Sequence, residues 1–167
     1  LAVTELLVGL GADLRRRDGE GKHAALMAAE RGDLHIVRFL VEAGAPLRRG
    51  DKGGAQSVHW AALSGHAPVL EYLFEQRADV RARDGKGAEP VHWAALESDV
   101  HTIAFVAKQG GNLHTATTEG ALPLHWAAGV GHAAITAFLL RRRADAQPRD
   151  GHGNTPLHFA AAQDRVP

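Results

Sequence analysis

The chain of 167 residues contains no cysteine. Disulfide bonds, thiolate zinc sites and cysteine nucleophiles are therefore all excluded. The redox compartment is not indicated, because proteins without cysteine suit oxidising and reducing environments alike.

An excess of charge of either sign is also missing. Lysine plus arginine and aspartate plus glutamate each number 19, so the formal net charge is zero. Proteins dedicated to nucleic acids usually carry a strong basic excess. We therefore do not expect nucleic acid as a partner.

Long apolar runs are absent as well, and none approaches the roughly 18–20 residues that a membrane-spanning helix needs. The apolar stretch Leu1 to Leu10 has no basic segment before it, so it does not read as a signal peptide. We expect an intracellular protein, in a compartment that the sequence leaves open.

What the chain does contain is a repeat. A glycine-containing turn, an Ala-Ala pair and an apolar run of helical spacing follow one another every 33 residues or so, the period of ankyrin arrays. The turn begins at Asp18, Asp51, Asp84, Thr117 and Asp150. One apolar run is Ile36 to Val41, and it closes in the turn Ala43-Gly44-Ala45.

Two segments carry the family resemblance most clearly. Pro123-Leu124-His125-Trp126-Ala127-Ala128 and Thr155-Pro156-Leu157-His158-Phe159-Ala160-Ala161 resemble the ankyrin "TPLHxAA" signature. Leu10 to Leu14 resembles the family's closing "AGADV" stretch. The resemblance recurs in register along essentially the whole chain, and it implies units of two short antiparallel helices with a hairpin-like finger.

We therefore predict an all-α ankyrin-repeat solenoid, a single array over residues 1–167. A unit of this size has too few apolar residues for a core of its own, so neighbours must stack, and the Ala-Ala pairs allow close approach. The predicted divisions are a partial unit 1–17, units 18–50, 51–83, 84–116 and 117–149, and a partial unit 150–167. Because both ends fall within a unit, we expect a fragment of a longer protein or neighbours that cover the ends.

Histidine is abundant, with eleven residues, but its spacing argues against a metal site. His59, His92, His125 and His158 occupy one slot of successive units. Such slots lie about 10 Å apart, whereas zinc–nitrogen bonds are about 2.0–2.1 Å. The resemblance implies a structural histidine that hydrogen-bonds the backbone between fingers.

No catalytic arrangement emerges from the remaining residues. Ser57, Ser64 and Ser98 do not lie in a G-x-S-x-G motif, and Gly53-Gly54 is a turn rather than a phosphate loop. We predict a protein that is not an enzyme and that needs no cofactor or metal.

Trp60, Trp93 and Trp126 also share one slot, which Phe159 continues. They can pack between units, or they can form an aromatic wall in the groove. Ankyrin domains that read methyl-lysine place tryptophan here, together with a finger aromatic and a nearby acid, and use cation–π attraction. Glu97 could be the acid, but the finger residues are Ala55, Ala88 and Ala121, so this cage would lack a wall.

The residues after each Ala-Ala pair face the concave groove in the resembled family. Here they include Arg31, Ser64 and Glu97, and an apolar row formed by Leu63, Leu96 and Val130, one unit apart. An exposed apolar patch usually marks a partner site. The alternative is that neighbouring side chains cover the row.

The finger edge is locally basic, and Arg48, Arg49 and Arg83 are its candidate contacts to an acidic protein segment. Interleaved acids such as Asp51 and Asp84 offset much of this charge. A solvated edge is therefore the alternative interpretation.

The sequence thus predicts a scaffold or adaptor that binds a protein or peptide through the concave groove and the finger edge. The predicted contact residues are Arg31, Arg48, Arg49, Trp60, Leu63, Ser64, Arg83, Trp93, Leu96, Glu97, Trp126 and Val130. The alternatives are a structural or recruiting module of a larger assembly or multidomain enzyme, since "HWAA" units also occur in arrays of some palmitoyltransferases, and a methyl-lysine reader.

Two closing turns break the glycine pattern. Gly11, Gly44 and Gly110 occupy the turn position after a helix, where a left-handed backbone is usual, but Arg77 and Arg143 take it in two units. We predict strained left-handed backbone at both arginines.

Overall fold

The computed structural model describes residues 1–96, 99–142 and 144–163. Helices are its regular elements, which confirms the all-α prediction. In chain order they are α1 (Ala2–Gly9), α2 (Ala24–Arg31), α3 (Leu34–Glu42), α4 (Ser57–Leu63), α5 (Ala67–Glu75), α6 (Pro90–Leu96), α7 (Val100–Lys108), α8 (Pro123–Gly129), α9 (Ala133–Arg141) and α10 (Pro156–Gln163).

The helices form two layers. The inner helices α2, α4, α6, α8 and α10 pack against one another in this order, and the outer helices α3, α5, α7 and α9 do the same. Each of the first four inner helices also packs against the outer helix that follows it. Contacts therefore run mainly between neighbours, as expected for a stack of repeats.

The core lies between these layers. The Ala-Ala pairs of α2, α4, α6 and α8 are buried, so the inner helices meet through side chains of one methyl group. Larger residues fill the outer side, among them Leu40, Leu70, Ile103 and Leu139, each no more than 1% exposed. Pro90, Pro123 and Pro156 begin their helices, where proline's missing N–H costs no helical hydrogen bond.

The fingers are tight turns joined side by side. In one of them Asp51 Oδ1 accepts from the N–H groups of Gly53 and Ala55, at 2.8 and 3.0 Å. Gly54 has φ 82°, and a Cβ there would lie 2.8 Å from the Gly85 nitrogen of the next finger. Glycine is required both by the backbone conformation and by this close approach.

Backbone hydrogen bonds between finger tips continue this contact along the array. The donor and acceptor pairs are Lys52 N to Glu20 O, Gly85 N to Gly53 O, Thr118 N to Lys86 O and Gly151 N to Glu119 O, at 2.7–3.1 Å.

The histidine row links neighbouring fingers, as predicted. His92 Nδ1 accepts from the Glu89 N–H at 3.1 Å, so its ring proton lies on Nε2, which donates to the Ala121 carbonyl at 3.2 Å. His59 and His125 make the same type of bridge. His158 differs: its ring is exposed and contacts Thr155.

The first complete unit uses a different histidine for this bridge. Leu26 fills the histidine slot there, and His23, three residues earlier, reaches the Arg49 carbonyl at 3.1 Å. Arg49 lies one unit before Ala82, the acceptor of His59. Sequence reasoning missed His23, although a histidine three residues before a histidine slot that holds leucine was a usable signal.

Arg77 adopts the strained conformation predicted for it, with φ 62°. Gly11, Gly44 and Gly110 have φ 89°, 92° and 104° at the equivalent turns. Arg143 lies outside the described residues, so its backbone stays a prediction.

Candidate partner-binding groove

An open cleft runs between the finger tips and the inner helices. Its volume is about 640 Å³. Glu20, Lys52 and Lys86 line it on the finger side, while Trp93, Leu96 and Trp126 line it on the helix side. Three of the twelve predicted contact residues therefore come together in one concave site.

The three tryptophans are half-buried and packed edge-on along the array. Trp60 and Trp93 have ring centroids 5.3 Å apart, and Trp126 packs against His92 of the preceding unit, also at 5.3 Å. The rings thus pack between units, and Trp93 and Trp126 still present surface to the cleft. Trp93 and Trp126 therefore both pack between units and form part of the cleft wall.

Carboxylates fix the orientation of two of these rings. Trp60 Nε1 donates to Asp51 Oδ2, and Trp93 Nε1 donates to Asp84 Oδ2, both at 3.0 Å. The sequence carries a signal for these bonds that was not used, an aspartate nine residues before a tryptophan. The next unit has Thr117 in place of the aspartate before Trp126.

The face of Trp60 is covered by a cation from the same chain. Lys22 Nζ lies 3.4 Å from the ring centroid and 2.7 Å from Glu30 Oε2. An ammonium group therefore already occupies the position that an external methyl-lysine would need. Ala55, the finger residue of this unit, is a buried alanine, so the finger supplies no further aromatic wall.

The apolar row needs one correction. Leu63 and Leu96 are the last residues of α4 and α6, but the last residue of α8 is Gly129, and Val130 is the C-cap that follows it. The spacing between Leu96 and Val130 is one residue longer than the repeat. Val130 is therefore equivalent to Ser64, the C-cap of α4, and not to Leu63. All three members of the row are half-buried.

A second cleft adjoins the first, and Val130 is one of the residues that line it. It measures about 320 Å³, and Leu96, Trp126, Gly129, Val130 and Phe159 line it. Leu96 and Trp126 belong to both clefts. The apolar surface is thus continuous from α6 to α10.

The remaining predicted groove residues lie elsewhere. Arg31 is exposed at the end of α2 and lines a separate depression together with Thr4 of α1. Ser64 is the half-buried C-cap of α4. Glu97 lies outside the described residues, so its role stays a prediction.

The finger arginines differ from one another. Arg48 and Arg49 are exposed. Arg83, by contrast, lies 3.6 Å from Glu89 Oε1 and donates to Thr115 Oγ1 at 3.3 Å. Glu89 is only 5% exposed, so the guanidinium of Arg83 offsets a buried charge as well as facing solvent.

The rings of His59 and His92 are neutral near pH 7. Burial lowers the pKa of His92 to about 4, and it lowers the pKa of His59 as well. A protonated Nδ1 could not accept the finger N–H, so the neutral ring is the form that bridges the fingers.

Across the part of the chain that the structure describes, no three histidine or carboxylate groups gather as metal ligands. None of the described helices combines the length and the apolar character needed to cross a membrane.

Comparison with known proteins agrees with the repeat seen in the structure. The family model for ankyrin repeats, which describes three copies, matches residues 1–84 and again residues 85–167. Among curated proteins none matches the chain significantly. Since the two matches together span the chain, this protein belongs to the ankyrin-repeat family.

Proposed function

We propose that this protein is a scaffold or adaptor that binds a protein or peptide segment in its concave groove. Ankyrin repeats are in general protein–protein interaction modules and are typically non-catalytic. The observation that carries the proposal is the cleft of about 640 Å³ with Trp93, Leu96 and Trp126 on its wall. We propose no catalytic role for the chain.

Two physical features favour binding at this surface. Tryptophan is enriched among the residues that dominate binding energy, and here two half-buried rings flank a leucine. The rings are also held in place before any partner arrives, because Asp84 and His92 contact them. A preorganised surface loses less entropy on binding.

Selection of peptides from a random 16-residue phage-displayed library would test the proposal. The immobilised chain should enrich peptides, whose affinity is then measured by fluorescence anisotropy. We expect the double variant Leu63→Asp with Leu96→Asp to lose binding, since hot-spot changes cost about 2 kcal/mol or more. Leu140→Asp, at an exposed position on α9, is the control and should bind normally.

Circular dichroism and thermal melting separate binding from folding. Leu63 and Leu96 are half-buried rather than fully buried, so we expect the double variant to keep its helical signal. A folded double variant that binds the enriched peptides with wild-type affinity would show that the groove is not the site. The same conclusion would follow if Leu140→Asp abolished binding instead.

A further inference from the structure

The fourth complete unit differs from the second and third at two positions beside its tryptophan. The aspartate that accepts from the indole N–H, Asp51 or Asp84, is replaced by Thr117. The leucine that ends the inner helix, Leu63 or Leu96, is replaced by Gly129.

The first difference leaves a hydrogen-bond donor available. Within the described residues, no acceptor bonds to Trp126 Nε1, whereas Trp60 and Trp93 each donate to an aspartate. Thr117 Oγ1 instead accepts from the Ala121 N–H at 3.1 Å. Trp126 is half-buried, and its Nε1 is not one of the buried side-chain atoms that lack a partner, so solvent or an external acceptor can reach this nitrogen.

The second difference leaves an apolar space. Gly129 opens the cleft of about 320 Å³, where every lining residue except this glycine has an apolar side chain. A Cβ at residue 129 would lie 3.3 Å from Phe159 Cδ1, so the cleft borders α10 directly and a larger residue at 129 requires a small shift of the Phe159 ring. Units two and three fill the equivalent position with a leucine side chain.

We propose that the surface around Trp126 and Gly129 is a specificity subsite for a partner segment that carries a leucine-sized aliphatic side chain next to a carboxylate. The aliphatic group takes the place of the missing leucine, and the carboxylate takes the place of the missing aspartate and accepts from Trp126 Nε1. The bound segment thereby completes the side-chain pattern of the fourth unit. This inference rests on the proposed function and specifies its ligand.

The adjoining cleft is lined by charges of both signs, since Glu20, Asp51 and Asp84 line it together with two lysines. Lys52 and Lys86 line this cleft, and neither ammonium group pairs with a carboxylate among the described residues. The nearby Asp84 carboxylate already accepts from the Lys86 and Ala88 N–H groups and from Trp93. Thr117 itself is neutral, so no charge of its own repels an anion.

N-acetyl-L-leucine is a minimal probe, because it joins one isobutyl side chain to one carboxylate. In a ¹H–¹⁵N spectrum the chain's three tryptophans give three indole signals, and Trp126→Phe assigns the relevant one. We expect the probe to shift this signal saturably, with a dissociation constant in the millimolar range for a ligand of its size. N-acetylglycine and N-acetyl-leucinamide, which each lack one of the two groups, should bind about tenfold more weakly.

Three variants test the two halves of the subsite separately. Gly129→Leu fills the apolar space and should abolish the shift, with Gly129→Ala as a smaller change if the leucine disturbs folding. Thr117→Asp gives Trp126 an acceptor within the chain and should weaken probe binding about tenfold. Gly9→Leu is the control, because Gly9 also ends a helix and a Cβ there would meet nothing within 4 Å.

Several outcomes would overturn the subsite. They are an unshifted Trp126 signal, equal binding of N-acetyl-leucinamide, and unchanged probe binding by folded Gly129→Leu or Gly129→Ala. Library-selected peptides that bind Gly129→Leu normally but need Leu63 and Leu96 would overturn the subsite and leave the groove function standing. Saturable probe binding without any groove-dependent peptide would overturn the proposed function instead and support the subsite chemistry.

Discussion

At the scale of single residues, the buried histidines connect one finger to the next. Each ring accepts a hydrogen bond from its own finger and donates one to the neighbouring finger, so both nitrogens are used. His92 and His125 are fully buried, and removing either ring would leave buried backbone groups without partners.

We therefore expect His92→Ala and His125→Ala to lower the free energy of unfolding by about 1–3 kcal/mol each. Chemical denaturation followed by circular dichroism would measure the loss. His158→Ala is the matched control and should cost much less, because this ring is exposed.

If His92 or His125 bound a metal ion, a different result would be expected for the same variants. Stoichiometric zinc or copper in the purified protein, lost on mutation of His92 or His125, would contradict the structural role. Elemental analysis of the wild type and of both variants decides between the two.

Arg77 has a left-handed backbone conformation that is strained for a residue with a side chain. Its φ of 62° costs a residue with a Cβ about 1–2 kcal/mol. We expect Arg77→Gly to stabilise the array by about 1 kcal/mol, measured as a higher melting temperature, and we predict the same direction for Arg143→Gly.

Gly44→Ala supplies the converse control for this turn. Gly44 has φ 92°, and a Cβ there would meet nothing within 4 Å, so the substitution adds backbone strain without a clash. If Arg77→Gly lowered the melting temperature, contacts of the arginine side chain would outweigh the strain.

At the scale of elements, the finger edge combines exposed charge with charge that holds units together. Reversal of Arg48 and Arg49 to glutamate should weaken partner binding less than the groove aspartates do, and in a salt-dependent way, because exposed charges mainly affect association rates. Binding kinetics at low and high salt would measure this effect.

Arg83→Glu should behave differently from that pair. It places a carboxylate beside buried Glu89, so we expect it to lower the free energy of unfolding by about 1–2 kcal/mol even without a partner. Arg48→Glu is the control and should leave stability nearly unchanged. Equal stability of the two variants would contradict the role assigned to the contact between Arg83 and Glu89.

At the scale of the whole molecule, several buried histidines make stability depend on pH. The pKa values of His23, His59 and His92 are all lowered by burial, so the unfolded chain binds more protons in mildly acidic solution. Stability is therefore highest above the ordinary histidine pKa of 6.5 and falls as the pH drops towards the value of about 4 for His92.

We expect His92 alone to account for about 3 kcal/mol of this loss between those two pH values. Denaturation curves across this range would measure it, and His92→Gln should give a shallower dependence. A stability that is constant or rises as the pH falls would contradict the neutral state assigned to the rings.

The fold was predictable because it depends on a local pattern repeated in register. The Ala-Ala pairs, the turn glycines and the helix-starting prolines each act within one unit. Because these features recur in register, the fold can be recognised even where one unit departs from the pattern. The histidine bridges were predictable for the same reason. His23 was the exception, because it lies outside the repeated histidine slot, which Leu26 fills in this unit.

The site was predictable as a surface but not in its contacts. The sequence alone determined that Trp93 and Leu96 share one inner helix and that Trp126 lies on the next, since helical register depends only on spacing. The tertiary structure decided that Lys22 covers Trp60 and that Arg83 reaches Thr115, 32 residues away. It also decided that Gly129 opens a cleft against Phe159. Such contacts join side chains of different units, so they depend on distances across the stack, which spacing along one unit does not contain.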